Sequence, residues 1–147
     1  MSRANDSCDT PPSTGTGEKP ILIAVIEDES IVLVGYQMLF ESWGYEVAGA
    51  GTAEEVIALL RGRDLRPRVI LADYRLREGY TGVMAIRAVQ AEFGTDIPAI
   101  LVTGDTAPGR LREAAASGLP ILHKPVNGNQ LHTLLQYCLS GTAAVSG

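Results

Sequence analysis

The chain has 147 residues, 46% of them apolar, and sets 12 Lys and Arg against 17 Asp and Glu for a net charge of −5. That size and apolar fraction suit one domain with a single core, while the acidic balance argues against a generic electrostatic grip on nucleic acid or anionic lipid. No apolar stretch approaches the roughly 20 residues of a membrane span, and the polar N-terminus lacks the apolar centre of a signal peptide, so a cytoplasmic location is expected. Cys8 lies in a polar tail and Cys138 in a helical pattern; so isolated, they make neither a metal motif nor a disulfide framework and are read as unpaired thiols.

Met1 to Lys19 is rich in Ser, Thr, Asp, Gly and Pro without apolar periodicity, which predicts a disordered tail over residues 1–19. Pro20 opens Ile21-Leu22-Ile23-Ala24-Val25-Ile26, and the run ends in Glu27-Asp28-Glu29. A run apolar on both sides of the pleat predicts a strand covered on both faces, the habit of parallel sheets. Ser30 is placed as the cap of a helix through Trp43, with Leu33, Tyr36 and Phe40 at helical spacing and Gly44 as its left-handed stop. Tyr45 to Ala50 is a short strand, and Thr52-Ala53-Glu54-Glu55 is a capping-box sequence opening a helix to about Arg61.

A charged loop with Pro67 precedes Val69-Ile70-Leu71-Ala72, a second continuous apolar run that delivers Asp73. Thr81 or Gly82 then precedes a helix in which Val83, Ile86, Val89 and Phe93 share a face, ended by Gly94. Pro98 introduces the strand Ala99 to Val102, ending in Thr103. Thr106 and Pro108 are placed as cap and first-turn residue of a helix from about Ala107 to Ser117, closed by Gly118. Ile121-Leu122 is a brief fifth strand before His123-Lys124-Pro125, and Leu131, Leu134, Leu135 and Cys138 mark the buried face of a last helix. Strand and helix alternate five times, which predicts an α/β fold, a doubly wound five-stranded parallel sheet over residues 20–141, with 142–147 as a short tail.

In such sheets ligands bind outside the carboxyl ends of the strands. Here those ends carry Glu27 and Asp28, Asp73, Thr103, and Lys124. Carboxylates crowded together repel one another and are costly to desolvate without a partner, so a hard divalent cation is the natural compensation. Mg²⁺ takes oxygen ligands, keeps several waters, and accepts a phosphoryl oxygen among its ligands. A carboxylate can attack phosphorus to form an acyl phosphate while metal and ammonium neutralise the transferring oxygens. His123 and His132 have no ligand-spaced companions and are read as structural and exposed respectively; Trp43 and Phe93 are read as core.

These residues, in this order and each at a strand end, resemble the receiver domain of two-component response regulators over about Pro20 to Ser140. The spacing that carries the resemblance is Glu27-Asp28 after strand one, Asp73 ending strand three, Thr103 thirty residues on, and Lys124-Pro125 twenty-one after that. The resemblance implies a flavodoxin-like sheet of order 2-1-3-4-5. It implies phosphoryl transfer to Asp73 from a histidine kinase or histidine phosphotransfer protein, with Mg²⁺ held by Glu27, Asp28, Asp73 and the Arg75 carbonyl. Thr103 and Lys124 would contact the phosphoryl oxygens, and Arg75 and Asp105 would tune the lifetime of the adduct. Phosphorylation and dephosphorylation would be self-catalysed rather than turnover of an external substrate. A downstream protein would read the last two helices, with no direct role for nucleic acid or membrane.

The form Asp-Tyr-Arg-Leu-x-x-Gly-x-Thr-Gly, with Leu-Val-Thr-Gly-Asp and Leu-Pro-Ile-Leu-His-Lys-Pro later, is similar to receivers at the C-terminus of hybrid sensor kinases. Arg77 stands where most receivers have proline, four after the aspartate, and Gly82 falls nine rather than eight after it, which reads as one inserted loop residue. Ile121 stands three before Lys124, where many receivers carry Tyr or Phe, so movement of Thr103 has to be read out without an aromatic switch. Two other readings stay open. One is a receiver-shaped adaptor that never accepts phosphate, favoured by the rearranged loop and Ile121. The other is a phosphohydrolase using Asp73, against which Arg75 stands where a haloacid dehalogenase would place its second aspartate.

Overall fold

The apolar runs become strands because both of their faces find cover. In the computed structural model, which describes residues 20–63, 66–104 and 108–140, β1 (Leu22–Ile26), α1 (Ser30–Ser42), β2 (Glu46–Ala50), α2 (Ala53–Arg61) and β3 (Val69–Asp73) follow one another. A tight turn (Arg77–Gly79) leads to α3 (Gly82–Phe93), β4 (Ala99–Thr103), α4 (Pro108–Ala116), β5 (Ile121–His123) and α5 (Gly128–Leu139). The expected tails, Cys8, Asp105 and the cap Thr106 lie outside the described residues.

The five strands form one parallel sheet in the order β2-β1-β3-β4-β5, as expected. Every residue of β1, β3 and β4 is buried. Leu22, Ala24 and Ile26, with Ile70, Ala72 and Leu101, face Val56 and Leu60 of α2 and Ile86 and Val89 of α3. The alternate residues, Ile23, Val25, Val69, Leu71, Ile100 and Val102, face Phe40 of α1 and Leu131 and Leu135 of α5. At about 1.5–3 kcal/mol for each large apolar side chain removed from water, these two layers supply the driving force that holds the sheet between its helices. Register then fixes the functional edge: Ile26 pairs with Ala72 and Ala50, Asp73 with Val102, and Thr103 with His123, so the strands end together.

Helix starts follow local chemistry. Thr52 Oγ1 accepts from Glu55 N–H at 3.1 Å, as the sequence predicts, and Thr81 Oγ1 caps α3 by accepting from Met84 N–H at 3.2 Å. Asn127, which the sequence reading did not single out, caps α5 by accepting from Gln130 N–H at 3.0 Å. Ser30 is not a cap: Glu29 takes that position without a capping side chain of its own, and Ser30 is the first helical residue. Just upstream, at the end of β1, Glu27 Oε2 accepts from the Glu29 N–H at 3.1 Å and holds the chain entering the helix. Gly44 stops α1 with φ +93°, a conformation that favours glycine.

The two histidines exchange their expected places. His123 is exposed, because β5 is a short edge strand whose last residue lies beyond the cover of the helices. His132 is half-buried and stacks on Trp43, ring centroids 4.0 Å apart and planes 5° from parallel, so it ties α5 to the end of α1. Cys138 is a buried free thiol whose pKa burial raises. Among the described residues, no helix is long and apolar enough to cross a membrane.

Candidate functional site

At the carboxyl edge of the sheet, one carboxylate oxygen from each of Glu27, Asp28 and Asp73 lies within 4.8 Å of the others. The strands determine this: β1 and β3 are neighbours in register, and each is rigid to its last residue because both of its faces are packed. A cleft of about 490 Å³ opens over the cluster, lined by Asp28, Glu29, Asp73, Arg75, Leu76, Arg77, Gly104 and Lys124.

Glu27 is 2% exposed. Its Oε2 is occupied by the Glu29 N–H, but its Oε1 is buried with no hydrogen-bond partner. Burial pushes its pKa up to about 7, with the neighbouring Asp73 and Asp28 charges adding to the rise and the Glu29 N–H and Lys124 opposing it. Asp73 is also buried, and desolvation raises its pKa while Lys124 works against that rise. The Lys124 ammonium donates to Asp73 Oδ2 at 3.2 Å. Its stem runs past Gly104, where an added Cβ would stand 3.4 Å from Lys124 Cδ.

Thr103 is buried at the end of β4, and its carbonyl accepts from the Lys124 N–H at 2.8 Å, which fixes the corner that presents the lysine. The Lys124–Pro125 bond at that corner is cis. Arg75 lines the cleft and bridges Thr81 in a short antiparallel pairing. Gly82 backs the site from below: its N–H donates to the Tyr74 carbonyl at 2.7 Å, and a Cβ there would lie 2.4 Å from the Asp73 carbonyl oxygen and 2.8 Å from Leu101 Cδ2. Glycine is required by that close approach.

The residues singled out in the sequence, Glu27, Asp28, Asp73, Arg75, Thr103 and Lys124, are thus gathered at one sheet edge, with Thr103 beneath the lysine corner. Two contacts escaped sequence reasoning. Arg77 reaches back to Asp28, with Nη2 3.2 Å from its carbonyl oxygen and Nε 3.6 Å from Oδ2. Tyr74, buried directly after Asp73, donates its hydroxyl to the Glu113 carboxylate on α4. The oddity of arginine in place of proline was a visible signal for the first. A tyrosine adjoining a buried aspartate gave no comparable signal for the second.

The donor set fits a hard dication. Hard cations take oxygen ligands, and an orphaned carboxylate oxygen buried beside two further carboxylates is a site whose charge calls for one.

Residues 23–136 match the family described as the response regulator receiver domain, and the chain belongs to it. Among curated relatives, the phyllosphere-induced regulator PhyR of Methylorubrum extorquens is 30% identical over 81 residues, 55% of this chain and 30% of the relative. The transcriptional regulatory protein ZraR of Escherichia coli O157:H7 is 27% identical over 121 residues, 82% of this chain and 26% of that protein. The chain therefore spans less than a third of the length of either. The solved receiver domain protein from Methanospirillum hungatei JF-1 superimposes with a TM-score of 0.70 at 22% identity, covering 86% of this chain and 98% of that one. The chemotaxis protein CheY4 of Vibrio cholerae gives 0.69 at 25% identity, covering 82% and 100%.

Proposed function

We propose that this receiver accepts a phosphoryl group on Asp73 from a histidine kinase or histidine phosphotransfer protein, with Mg²⁺ held by Glu27, Asp28, Asp73 and the Arg75 carbonyl. The observation that carries the reading is the pairing of a buried nucleophilic carboxylate with an ammonium at 3.2 Å, beside a carboxylate oxygen left without a partner. In the transfer, an Asp73 carboxylate oxygen forms a bond to phosphorus as the bond from phosphorus to the donor's imidazole nitrogen breaks, and the electron pair leaves with the imidazole. Lys124 already stands at Asp73 and neutralises oxygens that gain charge, while the Thr103 hydroxyl is the hydrogen-bond donor at the adjoining strand end. When bound, Mg²⁺ offsets the charge of the carboxylates and of the phosphoryl oxygens. Reversal by water would return the carboxylate, so phosphorylation and hydrolysis are properties of this chain rather than turnover of an outside substrate.

A phosphodonor has to approach over the carboxyl edge. There α1 begins two residues after Asp28 and shows Ile31, 86% exposed, with Val34 and Met38 on the same face. Three apolar side chains at helical spacing beside the acceptor suit a docking partner better than solvent. The downstream partner is assigned to α4 and α5, on the side where Tyr74 links the acceptor strand to Glu113. A cytoplasmic location follows from such partners. Placement at the C-terminal end of a hybrid sensor kinase rests on sequence form alone, in the loop after Asp73 and around Thr103 and Lys124, and the comparisons do not support it; PhyR and ZraR are both described as regulators.

Incubation with acetyl phosphate, with and without Mg²⁺, beside Asp73→Asn tests the reading by intact mass. A Mg²⁺-dependent adduct on the parent alone is expected, stable in acid and labile in base. The second reading, an adaptor that never accepts phosphate, is favoured by the Arg77 contact on Asp28 and by Ile121, half-buried where an aromatic switch would stand. Absence of both adduct and Mg²⁺ binding would decide for it.

A further inference from the structure

The loop between β3 and α3 carries one residue more than the family pattern, and the structure shows where the extra length goes. Glu78 and Gly79 both adopt left-handed conformations, φ +59° and +81°. Leu76 N–H donates to the Tyr80 carbonyl at 3.0 Å and Tyr80 N–H to the Arg77 carbonyl at 3.1 Å, closing the loop on itself. A non-glycine residue in that region is uncommon and is held there by its surroundings. The turn sends Arg77 back across the cleft to the end of β1, where its guanidinium addresses both the main-chain carbonyl and the carboxylate of Asp28.

We propose that Arg77 is a resident counter-cation of the carboxylate site, a positioning residue that Mg²⁺ must displace from Asp28, so that this loop sets the Mg²⁺ concentration at which the receiver becomes competent. The inference rests on the reading that Glu27, Asp28 and Asp73 hold the metal. Two features support it. Asp28 is the outermost of the three carboxylates, its side chain 14% exposed, so it is the ligand a solvent cation meets first. The Arg77 side chain is 75% exposed and anchored at its tip, so it can swing away at small cost once a dication takes over the same oxygens. Lys124 answers Asp73 and Arg77 answers Asp28, which leaves the cluster partly neutralised before any metal arrives. Each such cation lowers the attraction the site exerts on the next.

The test is a Mg²⁺ titration of the full chain by calorimetry, comparing the parent with Arg77→Gln, Arg77→Lys and Arg66→Gln. Arg66 pairs with Asp96 at 2.7 Å near the opposite edge of the sheet, so its variant controls for the loss of one positive charge. Arg77→Gln should bind Mg²⁺ about three- to fivefold more tightly at low salt, as loss of a competing exposed pair implies. Arg77→Lys, which keeps the charge but not the planar fork, should fall between, and Arg66→Gln should match the parent. The gap should narrow as ionic strength rises. A metal-free denaturation series gives a second readout, because a purely structural role for Arg77 would lower stability without tightening Mg²⁺. Equal or weaker binding by Arg77→Gln, with the parent binding normally, overturns this proposal and leaves the receiver chemistry intact. Failure of every variant and the parent to bind Mg²⁺ overturns both.

Discussion

Glu27 is a carboxylate kept where a carboxylate is costly. Its ordinary value of 4.5 rises to about 7 in the fold, chiefly through burial, so between those limits the folded protein keeps a proton that the unfolded chain has released. Stability is therefore fullest below the unfolded pKa and declines as pH rises towards about 7, by up to about 3 kcal/mol in the metal-free protein. Asp73 shifts in the same direction. Denaturant midpoints taken at about pH 5 and about pH 7.5 should show the decline, Glu27→Gln should flatten most of it, and Mg²⁺ should oppose it at the higher pH. A flat profile in the parent would mean that the orphaned oxygen carries no penalty. Gly82→Ala tests the floor of the same site: with a Cβ 2.4 Å from the Asp73 carbonyl, it should cost about 2–3 kcal/mol by thermal or denaturant unfolding. The identities of these acids were legible because each ends a run of apolar residues. The missing partner of Glu27 Oε1 was not, since it depends on where the Glu29 N–H has already been used.

Strands and helices were readable because their periodicities differ and because β1, β3 and β4 are buried on both faces. Their ends were less so. Ser30 looked like a cap, yet the neighbouring Glu27 took over the entrance of α1 from outside the helix, a tertiary arrangement that local sequence does not reveal. The same limit hid the link from Tyr74 to Glu113, which joins residues 39 apart. Since Tyr74 follows Asp73 directly, this hydrogen bond links the end of β3 to α4, and on the proposed reading it would couple the two where Ile121 gives no aromatic. Tyr74→Phe should cost about 1 kcal/mol and should uncouple α4: amide shifts produced by phosphorylation over residues 108–116 should shrink, while those next to Asp73 persist. Undiminished shifts in α4 would assign the coupling to another route.

For the molecule as a whole, the fold class followed from the five-fold alternation of strand and helix, since right-handed crossovers leave few topologies for it, while the strand order came from the resemblance to receiver domains. The spatial division of the site did not. Its three carboxylates end β1 and β3, central strands sealed between two apolar layers, whereas Lys124 follows β5, a three-residue strand at the margin of the sheet. Opening free energies in a domain range from near zero at poorly covered margins to the full unfolding energy at the centre. Native-state hydrogen exchange should accordingly find the β5 amides exchanging well before those of β3, and exchange at equal rates would contradict this gradient. The acids and the lysine that answers them then have different lifetimes. On the proposed phosphoacceptor reading, fraying of this margin would take from Asp73 its nearest ammonium while the carboxylates stay in place, and a partner that clamps β5 would govern the adduct without touching Asp73.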